Sequence, residues 1–275
     1  MIFISFILGI IKEAFAKKIV LALIIIYLVV VLLVIYLLNL ESIDAVQTLL
    51  MASSANDFRQ AIVNIQAYWI LGGFSVFVLF TLFIVLVSSF VPSMLKKGYI
   101  DLIISKPISR AKIILGHFTA GIIFIFAALL LMITAIWFLL SLKSGVWNVN
   151  FLYSVFWFTF IFAVLYSLII LIAVLTKSTI LTILINQLIL FPFSYILYFL
   201  NDKLQAAAQG LIGGTGEFII KFLYYLFPKP WDLHTICQNI IAGKEITSYQ
   251  PVYTSLLFIV VMLSLTIFYF GKKDY

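Results

Sequence analysis

Six stretches of this chain carry no Asp, Glu, Lys or Arg: residues 19–40, 60–95, 113–142, 144–176, 178–201 and 246–271. Each is long enough to cross a bilayer core, which takes about 20 helical residues. In hydrocarbon every backbone N–H and C=O has to be paired within the protein, and a helix does this within a single segment. Barrel strands would alternate apolar and polar residues, and these runs do not alternate. The chain is 65% hydrophobic and 10% charged, whereas a soluble domain has about a quarter of its residues charged. The expected fold class is therefore an all-α polytopic membrane protein, a single membrane domain over 1–275. Its six transmembrane helices are expected at about 19–40, 68–91, 117–141, 151–175, 179–200 and 251–271.

Orientation follows from the basic residues between those runs. One side carries Lys12, Lys17, Lys18, Lys96, Lys97, Lys106, Arg110, Lys112, Lys177, Lys272 and Lys273, and the other Arg59, Lys143, Lys203, Lys221, Lys229 and Lys244. The first side is the richer and is read as cytoplasmic by the positive-inside rule, with both termini there, in the cell membrane. The formal charge of +7 sits at the ends of apolar runs, where it sets topology, so nucleic acid is not an expected partner. Lys12, Lys17 and Lys18 follow the first apolar stretch instead of preceding it, so a cleaved signal peptide is not expected. Residues 1–18 place Phe3, Phe6, Ile7, Ile10, Ile11, Ala14 and Phe15 on one stripe, the pattern of an amphipathic helix lying in the inner membrane interface.

Few side chains offer chemistry. Cys237 is the single cysteine, which rules out an intramolecular disulfide and any multi-cysteine metal site. His234 and Cys237 form H-x-x-C and share a helical face, but lack a third metal ligand, so no metal site is expected. His117 lies at the edge of the third run and is read as an interfacial residue. Asn186 and Gln187 precede Pro192 inside the fifth run. They either bond to neighbouring helices or line a substrate path beside a kinked helix. No ionisable group stands at mid-membrane, which disfavours coupling to an ion gradient. The outer segment 201–249, interrupted by Gly210, Gly213, Gly214 and Gly216, is expected to form helices on or partly in the outer face, with Tyr224, Tyr225 and Trp231 at headgroup level.

The segment 96–119, KKGYIDLIISKPISRAKIILGHFT, is basic, amphipathic and set between two apolar runs on the cytoplasmic side. Pro92 is expected to end the second span, and Gly98 permits a sharp turn. Tyr99 to Ile104 suits a short helix that stops at Lys106, the residue before Pro107. Ser109 suits an N-cap for the next helix. The pattern is helix, break, helix.

Here the chain resembles the ABC-2 type transporter permeases, particularly the branch that includes permeases of copper-processing systems. The resemblance lies in Gly98, Ile100, Asp101, Leu102, Ser105, Pro107, Ile108, Ser109 and Arg110, followed by Leu115 and Gly116. Weaker echoes are the amphipathic start, the outer insert and the end Tyr269, Phe270, Lys272, Lys273, Asp274, Tyr275. The chain departs from the family at Lys96 and Lys97, where an acidic residue is common. The resemblance implies a coupling helix at about 98–106, gripped by a separate ABC ATPase subunit that holds ATP and Mg2+. It implies contact residues Gly98, Tyr99, Ile100, Asp101, Leu102, Ile103, Ser105, Lys106, Pro107, Ile108, Ser109 and Arg110, with charged contacts from Asp101, Lys106 and Arg110. It further implies pairing as a homodimer or with a related permease, and export of cargo. No cofactor is expected on the chain itself. It has no G-x-x-x-x-G-K-[ST], and Glu217 replaces the lysine in its nearest glycine cluster. The alternatives are a non-transporting membrane scaffold or assembly factor whose basic loop docks another protein, and a membrane-embedded enzyme, for which no acid–base cluster is seen. A reporter active only outside the cytoplasm should stay silent when fused after residue 275 and work when placed within 201–249. The reverse pattern overturns the orientation.

Overall fold

The computed structural model describes residues 8, 9, 25, 27–29, 32, 55–70, 72–95, 109–206, 214–246 and 248–272. The expected interfacial helix 1–18 and first span 19–40 otherwise lie outside the described residues. In chain order the helices are α1 (Ala55–Asn64), a π-helical turn (Ile65–Ile70), α2 (Gly73–Val87), α3 (Phe90–Met94) and α4 (Arg110–Ser144). A 3-10 turn (Val149–Tyr153) leads into α5 (Ser154–Thr176) and then α6 (Thr179–Leu188). A second π-helical turn (Ile189–Phe193) precedes α7 (Ser194–Ala206), followed by α8 (Gly214–Leu226), α9 (Pro230–Ile241) and α10 (Gln250–Lys272). The described residues form no strand.

Among the described residues five helical stretches are long and apolar enough to cross a membrane: Phe77–Met94, Arg110–Ser144, Val149–Thr176, Thr179–Leu200 and Gln250–Lys272. They coincide with the expected spans from the second to the sixth. The second differs in its ends. Its charge-free run has no marked start, and Gly72, in extended backbone, separates the π-helical turn from α2. Pro92 does not end it. The chain turns at Ser88 and Ser89 and restarts as α3, so Pro92 falls in a first turn, where its missing N–H leaves no intrahelical bond unmade.

α5 is the hub. It packs against α2, α3, α4, α6, α9 and α10, and its buried residues cover every side of the helix. Aromatic rings interlock around it. Phe80 meets Phe158 edge-on at 5.8 Å and Phe83 meets Phe162 at 6.2 Å, while Phe118 and Phe162 both stack on Tyr166, at 6.0 and 5.3 Å. Hydrocarbon tails are as apolar as leucine, so this close packing, not exclusion from water, selects the neighbours. The outward sides of α4, α6 and α10 remain apolar and exposed, at Leu131, Ile180 and Leu257 among others. Several threonine hydroxyls inside these helices bond back to their own helices: Thr119 to the Leu115 carbonyl, Thr159 to Val155 and Thr266 to Met262. This keeps them satisfied without water.

The loop between α4 and α5 is locked from several directions. Gly145, at φ 70°, closes α4 in the left-handed conformation that glycine adopts without penalty. Trp137 Nε1 donates to the Asn148 carbonyl at 2.9 Å. Asn148 Nδ2 in turn donates to Gln66 Oε1 at 3.0 Å and to the Ile241 carbonyl at 3.2 Å. This ties the first π-helical turn and α9 to the C-terminal end of α4.

Gly121 marks the tightest approach of α4 to α5. A Cβ there would overlap the edge of the Tyr166 ring, whose hydroxyl donates to the His117 carbonyl at 3.3 Å. Gly121→Ala should destabilise the bundle by about 1–3 kcal/mol, the usual range for overpacking. Adding Tyr166→Leu should recover part of that loss, read as the thermal midpoint in detergent. Equal losses in the single and double variants would show that the ring does not set this approach.

Candidate functional site

The segment between α3 and α4, called the elbow below for its expected turn, is the first site to consider. Gly98, Tyr99, Ile100, Asp101, Leu102, Ile103, Ser105, Lys106, Pro107 and Ile108 lie outside the described residues. Both roots of the elbow are described. On the near side Val91, Met94 and Leu95 are buried, and on the far side Ile113 and Ile114, all in one core cluster. Ser109 caps α4 as expected, in extended backbone, with the Lys112 N–H donating to its Oγ at 3.4 Å. Arg110 opens α4, and its Nη1 donates to the Phe270 carbonyl at 3.2 Å and to the Gly271 carbonyl at 3.1 Å. The end of the last span is therefore held by a residue that sequence reading assigned to a partner contact. No local signal could have shown this, because the two groups are 160 residues apart.

The second candidate is the fifth span. Gln187 Nε2 donates to Thr81 Oγ1 of α2 at 3.0 Å, and that hydroxyl donates onward to the Phe77 carbonyl at 2.9 Å. Of the two expected roles for Gln187, bonding to a neighbouring helix is therefore realised. Asn186 is fully buried, and its Nδ2 bonds back to the Thr182 carbonyl at 2.9 Å. The amide oxygens of both residues are buried and accept no hydrogen bond among the described residues. Pro192 sits in the second π-helical turn. There the Leu190 carbonyl takes two donors, Ser194 Oγ at 2.6 Å and Trp231 Nε1 of α9 at 3.2 Å. Such turns accommodate a proline and recur at functional positions.

His234 and Cys237 are both buried on α9. His234 stacks on Phe158 at 6.2 Å and meets Trp231 edge-on at 6.2 Å, so this face of α9 is packed into the core. Among the described residues no group of three or more His, Cys, Asp or Glu could hold a metal ion. Burial pushes the Cys237 thiol up, away from the reactive thiolate. His117, on α4, is also buried.

A further group was not legible in the sequence. Lys229 is only 3% exposed, and its Nζ donates to Thr254 Oγ1 of α10 at 3.1 Å. The same ammonium lies 4.1 Å from the centre of the Tyr224 ring and 4.7 Å from that of Tyr225. Tyr224 Oη donates to Asp232 Oδ1 at 2.7 Å. Sequence reading had placed Lys229 with the orienting outer charges and Tyr224 at the headgroups. The spacing Tyr-Tyr-x-x-x-Lys-Pro-x-Asp was the available signal. Burial, partly opposed by Asp232, brings the Lys229 ammonium down to about 8, and burial raises Asp232.

The sign of the pH dependence follows. Between about 8 and the ordinary 10.5, folded Lys229 has lost its proton while the unfolded chain keeps it. Stability therefore rises with pH through that window. The thermal midpoint of the intact chain, measured from pH 7 to pH 10 relative to Lys229→Met, should climb with pH. A flat difference would show that Lys229 keeps its ordinary proton affinity.

Comparison with protein-family models gives no match to this chain, and comparison with curated proteins gives none either.

Proposed function

We propose that this chain is the transmembrane subunit of an ATP-driven ABC transporter of the ABC-2 type, an exporter. In this reading the charge-free run 19–40 is the first of six spans and 1–18 the interfacial helix. Both termini are cytoplasmic, in the cell membrane. The observation that carries the reading is the motif from Gly98 to Arg110, a turn of the Ser-x-Pro-x-Ser-Arg kind set between two spans on the basic side. Topology alone needs positive charge, not this punctuation of glycine, proline and serine. Further support comes from its roots: Leu95 and Ile113 are seated in the same core, so force on the elbow is delivered to the packed bundle.

The proposed mechanism is mechanical. A separate ATPase subunit, holding ATP and Mg2+, grips residues 98–109, with Asp101 and Lys106 as the charged contacts. ATP binding favours one arrangement of the spans over the other, and only that difference in affinity can shift the equilibrium. Two permease copies, identical or related, form the path between them. Asn186 and Gln187, beside the turn at Pro192, have buried amide oxygens that would meet cargo only in an arrangement of the spans that uncovers them, in an otherwise apolar route. That route suits amphiphiles, peptides or lipid-linked molecules better than free ions.

Gentle detergent extraction from the native host should copurify an ATPase. Asp101→Lys should reduce its recovery on the order of tenfold, the loss expected from a like-charge contact. If no ATPase accompanies the unaltered chain, the scaffold reading gains and the transport reading falls.

A further inference from the structure

The inner ends of the described spans are finished in two ways. Helix ends leave their last carbonyls without intrahelical partners, and at the end of α5 the next residues fold back onto the helix. The Lys177 N–H donates to the Ala173 carbonyl at 2.9 Å, and the Ser178 N–H donates to Thr176 Oγ1 at 3.3 Å. The last span is different. Its terminal Phe270 and Gly271 carbonyls are taken by Arg110, from another helix.

The placement of Arg110 is informative in itself. As the first residue of α4 it stands at the positive end of that helix's dipole, where a cation is unfavourable. Its guanidinium is instead delivered to the negative end of α10, where a cation is favoured. A charge needed only for topology would sit equally well in water, as exposed Lys112 does two residues on. Phe270, whose carbonyl Arg110 holds, is fully buried, so the bond reaches a part of α10 fixed in the core. Arg110 also directly follows Ser109, the last residue of the elbow.

We infer that Arg110 is a positioning residue that latches the start of α4 to the end of the last span, so that displacement of that end of α4 moves the inner end of α10. Its role in transport rests on the function proposed above, whereas the latch itself can be tested on the chain alone. This assigns Arg110 a role inside the chain, distinct from that of Asp101 and Lys106 at the partner surface.

Amide hydrogen exchange on the full chain in lipid nanodiscs tests the latch. Arg110→Gln should speed exchange at residues 266–272 about tenfold, the ratio sustained by a bond from a charged donor. Exchange at 177–182, on the same membrane side, should not change. Arg110→Lys should recover part of the protection, and Lys112→Gln should leave 266–272 as they are. Unchanged exchange in Arg110→Gln overturns the latch, whether or not an ATPase partner exists. Where the ATPase copurifies, Arg110→Gln should leave its recovery intact and lower the ATP turnover that the permease stimulates. Lost recovery with unchanged exchange would make Arg110 a docking contact and overturn the proposal.

Discussion

α5 has almost no side available to lipid, and the rest of the molecule is arranged by that fact. A helix buried on all sides in hydrocarbon gains nothing from hiding apolar surface, because lipid is equally apolar. It is held by fit. The rings of Phe158, Phe162 and Tyr166 find partners on α2 and α4, and Gly121 lets one neighbour come close enough for contact. Removal of one of these contacts would not expose the core to water, but it would cost the shape match that selects one arrangement of helices over others.

The polar groups are distributed unevenly along this scaffold. The end of the bundle near the C-terminus of α4 is cross-linked by side-chain bonds of Trp137, Asn148, Gln66 and Gln238, the last reaching the Ala67 carbonyl at 3.2 Å. Lys229 adds a buried cation that joins α8, α9 and α10 through Tyr224, Asp232 and Thr254. Along the helices Gln187 bonds across to Thr81 and Tyr166 to the His117 carbonyl. At the opposite end Arg110 spans from α4 to α10.

Much of the helical layout was legible because charge-free length has a single physical meaning in a bilayer. The third to sixth spans follow from it directly, and Ser109 declared itself as a cap by its place before a basic, apolar run. Other features were hidden for definite reasons. The central position of α5 could not be read, since the residues that face lipid, such as Leu131, are the same kinds that face protein, such as Leu129. Gly72 and Pro92 gave wrong or silent boundaries because a turn can reset the helix without a charged residue. Arg110 and Lys229 looked like orienting charges until their partners, distant in sequence, were brought beside them. For the elbow itself, the motif remains the ground for its role, and its two roots are the part that the fold describes.

α4 runs unbroken for 35 residues, about 52 Å at 1.5 Å per residue, well beyond a hydrocarbon core of about 30 Å. It is thus a stiff pole longer than such a core is thick, with Arg110 at one tip and the Trp137–Asn148 bond near the other. Tilting such a pole by about 10° around its midpoint would swing each tip by about 4–5 Å in opposite directions. A small rotation at one end thereby becomes a side-chain-sized displacement at the other, with no bend required between them.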